Sequence, residues 1–280
     1  MPARGRTSLK LAPLVIAAVF ILFQFFGAER FKNPETGRVQ RVALSTEQEE
    51  SLGLQAFQDV LSTAEVVESG PVAEAVRRAS SRIAAQTGEA AKSFKWQVSV
   101  VKSEQINAFC LPGGKIVVYT GIVPVAETEA GLATVIGHEV AHAVARHGAQ
   151  RVFQNQLVQT ALVGASFSLG DMDFNQRQAI MGLLGAGAQY GVLLPFGRDH
   201  EVEADQMGLL YMARAGYDPQ EAIPFWERMG KTAGNGQPPE FMSTHPSHGT
   251  RIENLKAFMP RALEEYEKAA GGRSRPGETF

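Results

Sequence analysis

Two histidines four residues apart, His138 and His142, occur with Glu139 in the alanine-rich stretch ATVIGHEVAHAVARHGAQ at 133–150. On an α-helix, residues four apart lie about 40° from each other on one face, so both imidazoles can reach one cation. Glu139 is turned about 100° from His138 and can lean over the open side of a metal, as the base for a bound water. The competing reading is a buried helix whose polar residues are satisfied in the core. With 6 histidines in 280 residues, the pattern seldom arises by chance. A catalytic zinc takes three protein ligands and keeps an open position. The single cysteine, Cys110, excludes multi-cysteine clusters and an internal disulfide, so the remaining ligands must be histidines or carboxylates. Downstream, RDHEVEADQMGLLYMARAGY at 198–217 offers Glu201 and Asp205, again four apart. The first can bind metal, and the second can accept an N–H from a ligating histidine and fix its tautomer. Glu203 and Asp199 point elsewhere on that helix and read as solvated, while His200 lies off the face of Glu201 and reads as non-ligating.

These residues need a scaffold, and the chain is long enough for a sizeable core. The net charge is −2 and the basic residues are scattered, which argues against a nucleic-acid partner. Arg4, Arg6 and Lys10 precede the uncharged run LAPLVIAAVFILFQFFGA at 11–28, barely long enough to span a bilayer. Phe26 at the third position before a cut after Ala28 disfavours signal cleavage, so the reading is an anchor, with a cleaved signal segment as the alternative. The leading basic residues favour a cytoplasmic N-terminus, although Arg30, Lys32, Arg38 and Arg41 beyond the run weaken that orientation. Residues 29–43 are polar and turn-rich and read as a linker. A helix follows from overlapping capping signals, Ser45 with Gln48 and Thr46 with Glu49, and a second spans 72–85. WQVSVV, INAFCL and KIVVYT are strand-like, with PGG a hairpin signal between the last two. Helical periodicity then persists from 127 to 154. Residues 157–194 hold two Gly- and Ala-rich apolar stretches, each short of a membrane span and each containing a glutamine. They read as closely packed helices around a core, with dipping into lipid as the alternative. No internal repeat is visible, and the C-terminal end reads as a disordered tail.

At this point the chain resembles a known family. INAFCLPGGKIVVYTGIV, GHEVAHAVARH, EVEADQMGL and STHPSHGTRI occur in the order found in the HtpX-like and CAAX-prenyl-protease-like zinc metallopeptidases, the gluzincins. The resemblance covers about 44–259 and lies nearest the bacterial periplasmic members. It implies an α+β, zincin-like, mostly helical domain with a small β-sheet whose edge strand binds substrate. It implies one Zn2+ per chain held by His138, His142 and Glu201, with Glu139 as general base and Asp205 as the outer carboxylate. Asn107 then lies on the edge strand that binds substrate backbone, a role an extended peptide added to a sheet edge would satisfy. His245 and Arg251 match a pair that supports the oxyanion, and in one periplasmic relative the equivalent histidine occupies the fourth zinc position and keeps the enzyme latent. Members usually carry a small residue where this chain has Cys110, which reads as a buried, inert thiol. His248 reads as non-ligating, and His147 as packed at a helix end.

The expected organisation is an anchor or signal segment at 1–28, a linker at 29–43, the metallopeptidase domain at 44–262 and a tail at 263–280. The expected function is a zinc endopeptidase acting on unfolded or misassembled envelope proteins. It would be held in the bacterial inner membrane by one span, with its catalytic domain in the periplasm, or be soluble there after signal cleavage. Its partners would be protein or peptide substrates and, through the N-terminal segment, the membrane; oligomeric state is left open. The rivals are a CAAX-type protease on lipidated substrates and a zinc-containing chaperone or assembly scaffold.

Overall fold

The computed structural model describes residues 9–232, 240–245 and 249–269. Arg4, Arg6, His248 and the end of the expected tail lie outside the described residues. The chain opens with helix α1 (Leu11–Gly27), then strands β1 (Glu29–Lys32) and β2 (Val39–Val42), α2 (Thr46–Thr63), α3 (Pro71–Ala84), and strands β3 (Gln97–Val101), β4 (Ala108–Leu111) and β5 (Lys115–Tyr119). The remainder is helical: α4 (Val123–Ala126), α5 (Glu129–Val144), α6 (His147–Ser168), α7 (Phe174–Ala188), α8 (Leu194–Arg214), α9 (Ala222–Thr232), α10 (Glu240–Thr244) and α11 (Arg251–Lys268). This is the expected α+β arrangement, mostly helical with small sheets. The chain divides into two compact units. One takes the residues up to Lys32, Val39–Leu44 and Gly148–Gly197; the other takes Asn33–Arg38, Ser45–His147 and the residues from Arg198 onward.

In the second unit the local signals act as the sequence suggests. Of the two overlapping caps, Ser45 is the one used. Its Oγ accepts from Gln48 N at 3.3 Å while its own N–H donates to Gln48 Oε1 at 2.9 Å, which satisfies two otherwise orphaned donors. β5 lies between β3, which is parallel to it, and β4, which is antiparallel. The β4–β5 turn needs its glycines, since Gly113 and Gly114 both take positive φ (77° and 80°), a region closed to most side chains. β4 is therefore an edge strand among the described residues. The core gathers α3, the sheet, α5, α8, α9 and α11, with Leu132, Ile136, Met207, Tyr211 and Phe225 fully buried.

Three expectations change. Residues 29–43 are not a plain linker, because β1 and β2 pair antiparallel from Glu29↔Val42 to Lys32↔Val39. The turn residues lie between two short strand runs rather than throughout. The helix expected to persist from 127 to 154 is broken: Arg146 takes φ 56° and ends α5 before α6 begins. Arg146 Nε pairs with Glu49 Oε2 at 2.5 Å, both buried, and that ion pair holds the break. Finally, the second of the two stretches in 157–194 is not packed around a core, since α7 has no buried residue. A single π-helical turn, Gln189–Leu193, joins α7 to α8. The run Phe174–Arg214 is the one helix among the described residues long and apolar enough to cross a membrane, by length and composition. A Gly- and Ala-rich sequence that is apolar all round carries no stripe, so periodicity cannot say whether its surroundings are protein or lipid. α11 runs across residue 262 to Lys268, so the expected tail opens as helix.

Candidate metal centre

α5 and α8 approach so closely that a side chain at their crossing would collide with backbone. A Cβ on Gly137 would lie 3.0 Å from Gly208 O, and one on Gly208 would lie 2.9 Å from His138 N. Each glycine sits within a turn of the reactive residues on its own helix, so the contact sets the His138–His142 face of α5 against the Glu201–Asp205 face of α8. His138, Glu139, Glu201 and Asp205 are all buried as a result.

Four donor atoms, one each from His138, His142, Glu201 and His245, lie within 4.8 Å of one another. His138 Nε2 is 3.1 Å from His142 Nε2 and 3.3 Å from Glu201 Oε2. His245 brings Nδ1 to 3.3 Å from His138 Nε2 and 3.1 Å from Glu201 Oε1. The ring of Phe241 stacks on His245 at 4.7 Å, and the Phe241 N–H donates to Ile106 O at 3.4 Å. That bond ties α10 to the chain just ahead of Asn107. Asn107 itself precedes β4, and its carbonyl accepts from Tyr119 N at 3.1 Å. Asn107 is thus at the start of the edge strand but is not one of the four donors.

Behind His138, Nδ1 lies 2.9 Å from Asp205 Oδ1. Arg251 donates from Nη2 to the same oxygen at 2.6 Å and lies 3.4 Å over the Trp226 ring, while its Nε and Nη1 have no hydrogen-bond partner. Cys110 stays outside the donor set; burial pushes its thiol up, so it remains protonated.

Three imidazoles and a carboxylate fit zinc by ligand type and number, and the electrostatics agree. Burial alone lowers His138, but hydrogen bonds to Asp205 and Glu201 outweigh it and push the group up to about 9. Burial holds His142 well below its usual value, leaving its lone pair available. Burial raises the Glu139 carboxyl, and Glu139 Oε1, buried without a hydrogen-bond partner, stands 3.5 Å from His245 Nε2. Such an orphaned oxygen is costly unless a cation, water or substrate meets it.

The match to known proteins agrees with this centre. The model of peptidase family M48 matches residues 71–259. The chain belongs to peptidase family M48. Zinc is the metal of this M48 family, and the cluster fits it. The chain is 38% identical over 193 residues to mitochondrial metalloendopeptidase OMA1 of Schizosaccharomyces pombe, covering 69% of this chain and 54% of that protein. It is 40% identical over 186 residues to OMA1 of Arabidopsis thaliana, covering 65% and 36%. To the β-barrel assembly-enhancing protease of Yersinia pestis it is 27% identical over 227 residues, covering 80% and 46%. This M48 chain thus spans about half, or less, of the length of these relatives.

One reading of the acidic helix is corrected. Glu203 is buried, not solvated, because Asn33, Thr36, Arg38 and His147 all engage its carboxylate. Those partners are 56 to 170 residues away in sequence, so helical spacing could not reveal them. Gly137 and Gly208 were equally invisible as site residues. The visible signal was a glycine one position before the first histidine and another three after Asp205.

Proposed function

We propose that this chain is a zinc-dependent endopeptidase that hydrolyses peptide bonds in unfolded or misassembled envelope proteins. The observation that carries the reading is the buried Glu139 carboxylate, with its unpartnered Oε1, beside four converging donors. His138, His142 and Glu201 would hold the metal. Zinc, when bound, supplies Lewis-acid polarisation of the scissile carbonyl and lowers the pKa of a water. Glu139 takes the proton at Oε1 and returns it to the leaving amine, and burial brings its carboxyl nearer the working pH, which suits both halves of that task. Asp205 keeps the His138 proton on Nδ1 and frees Nε2. His245 and Arg251 support the developing oxyanion. The free edge of β4, opening at Asn107, orients an extended peptide by adding it to the sheet.

A second reading is favoured by the position of His245, whose Nδ1 lies among the donors. Held there it fills the position that substrate needs, so the enzyme rests in a latent state until His245 swings away. Membrane attachment is supported by α1 and by the exposed apolar side chains of α7. The name of the Yersinia relative, a β-barrel assembly-enhancing protease, supports a role in protein assembly, and the proposed place of the catalytic domain is the periplasm. The test is cleavage of casein by the full chain, wild type against Glu139→Gln and His245→Ala, each with and without chelator. Chelator-sensitive cutting that is lost in Glu139→Gln is expected. Cutting seen only in His245→Ala establishes latency, and zinc binding without cutting in any variant sinks the endopeptidase reading in favour of a scaffold.

A further inference from the structure

The two histidines of the helix are supported unequally by what the sequence suggests. His138 has Asp205 behind its Nδ1, whereas nothing on α5 or on the Glu201–Asp205 face stands behind His142. The structure fills that gap with residues the catalytic reading does not use. His142 Nδ1 is 2.9 Å from His147 Nδ1, and His147 Nε2 is 3.1 Å from Glu203 Oε2. The far side of Glu203 is crowded with donors from the Asn33–Arg38 loop. Asn33 Nδ2 reaches Oε1 at 2.8 Å, the Thr36 hydroxyl donates to Oε1, and Arg38 Nε lies 3.1 Å from Oε2. His147 and Asn33 are buried, and the His147 ring stacks on His200 at 4.1 Å and 11°.

We propose that His147 and Glu203, clamped by the Asn33–Arg38 loop, form a carboxylate–imidazole relay that positions His142 for the metal. The protons can run in only one consistent order. A carboxylate ringed by donors is an acceptor, so Glu203 Oε2 takes the N–H of His147 Nε2. A neutral imidazole donates from one nitrogen only, so His147 Nδ1 accepts from His142 Nδ1–H. The lone pair of His142 is then on Nε2, the nitrogen that faces His138 Nε2 at 3.1 Å and Glu201 Oε1 at 3.4 Å. The relay fixes tautomer and ring angle, as Asp205 does for His138, and hydrogen-bonded partners of this kind raise the basicity of a ligating histidine. The break at Arg146 makes it possible, because a continuous helix would carry His147 five residues on, off the face of His142.

This inference rests on His142 being a metal ligand, and the experiment separates the two. Zinc affinity of the full chain is measured by competition with a chromophoric chelator, alongside the visible spectrum of the Co2+-loaded protein and circular dichroism. His147→Phe keeps the volume and the stack on His200 but removes both nitrogens. It is expected to weaken zinc about 10- to 100-fold and to shift the cobalt band. Glu203→Gln is expected to weaken zinc by less, and the double variant to be no weaker than His147→Phe, because both act along one path. Affinity within about twofold of wild type and an unmoved cobalt band in folded His147→Phe would overturn the relay, as would losses that multiply in the double variant. If His147→Phe does not fold, Glu203→Gln decides: weaker zinc with a wild-type dichroism spectrum supports the relay, and unchanged affinity refutes it. His142→Ala is the control for the underlying reading. If it binds zinc as tightly as wild type, the metal centre itself is misassigned and the relay falls with it.

Discussion

In the unit that contains α5 and α9, the large apolar side chains are covered: Leu132, Ile136, Phe225 and Phe241 are all 0% exposed. In the unit that contains α1 and α7, many face outward, with Phe23 at 76%, Leu183 at 75% and Tyr190 at 71%. The polar residues run the opposite way. The unit with α5 buries His138, Glu139, Glu201, Asp205 and Arg251, a concentration of charge that a stable core would avoid unless it were paired or used. Hydropathy therefore reports that a side chain avoids water, not what it avoids water with. One unit covers its apolar surface around a charged site, and the other leaves much of that surface exposed.

The comparison can be broken or sharpened by substitution. The largest effect is expected for Glu139→Gln, which should lower peptidase activity by about 10²- to 10⁴-fold, as loss of a positioned acid–base group does. Its stability in urea should not fall, since the carboxylate oxygen it replaces has no hydrogen-bond partner; a clear loss of stability would make Glu139 structural. Next comes Arg251→Leu. Leaving Asp205 buried with His138 as its remaining partner should cost about 3–5 kcal/mol in chemical denaturation, and a neutral result would mean the pair at 2.6 Å carries no weight. Gly208→Ala follows, with a Cβ forced to 2.9 Å from the His138 backbone nitrogen. Overpacking of this kind should cost about 1–3 kcal/mol and weaken zinc binding as the helices part. The smallest effect belongs to the other unit. Leu183→Gln should leave the unfolding free energy within about 0.5 kcal/mol of wild type while reducing flotation with phosphatidylethanolamine–phosphatidylglycerol vesicles. A large loss of stability there, with flotation unchanged, would show that α7 faces protein.

Much of the site was legible because its signals are local. His138 with His142, and Glu201 with Asp205, each obey the spacing of one helix, and Ser45 with Gln48 and the Pro112–Gly114 turn are short-range as well. Glu203 failed on the same rule: its own helix suggests solvent, and its partners come from a loop more than 160 residues earlier. His147 was placed correctly at a helix end, yet its ring could not be assigned without knowing that α5 stops at Arg146. The α7 part of 157–194 misled because a glycine- and alanine-rich helix has no preferred face.

By itself, then, the sequence determined which donors exist, which pairs share a helical face, and that a carboxylate stands beside the first histidine, because 3.6 residues per turn ties spacing to direction. Only the tertiary structure decided that α5 and α8 meet at Gly137 and Gly208, that His245 enters the donor cluster, that His147 and Glu203 stand behind His142, and that α7 turns its apolar side chains outward. Those outcomes depend on contacts between distant segments, whose geometry is set by packing and by the pairing of buried charge rather than by any local period.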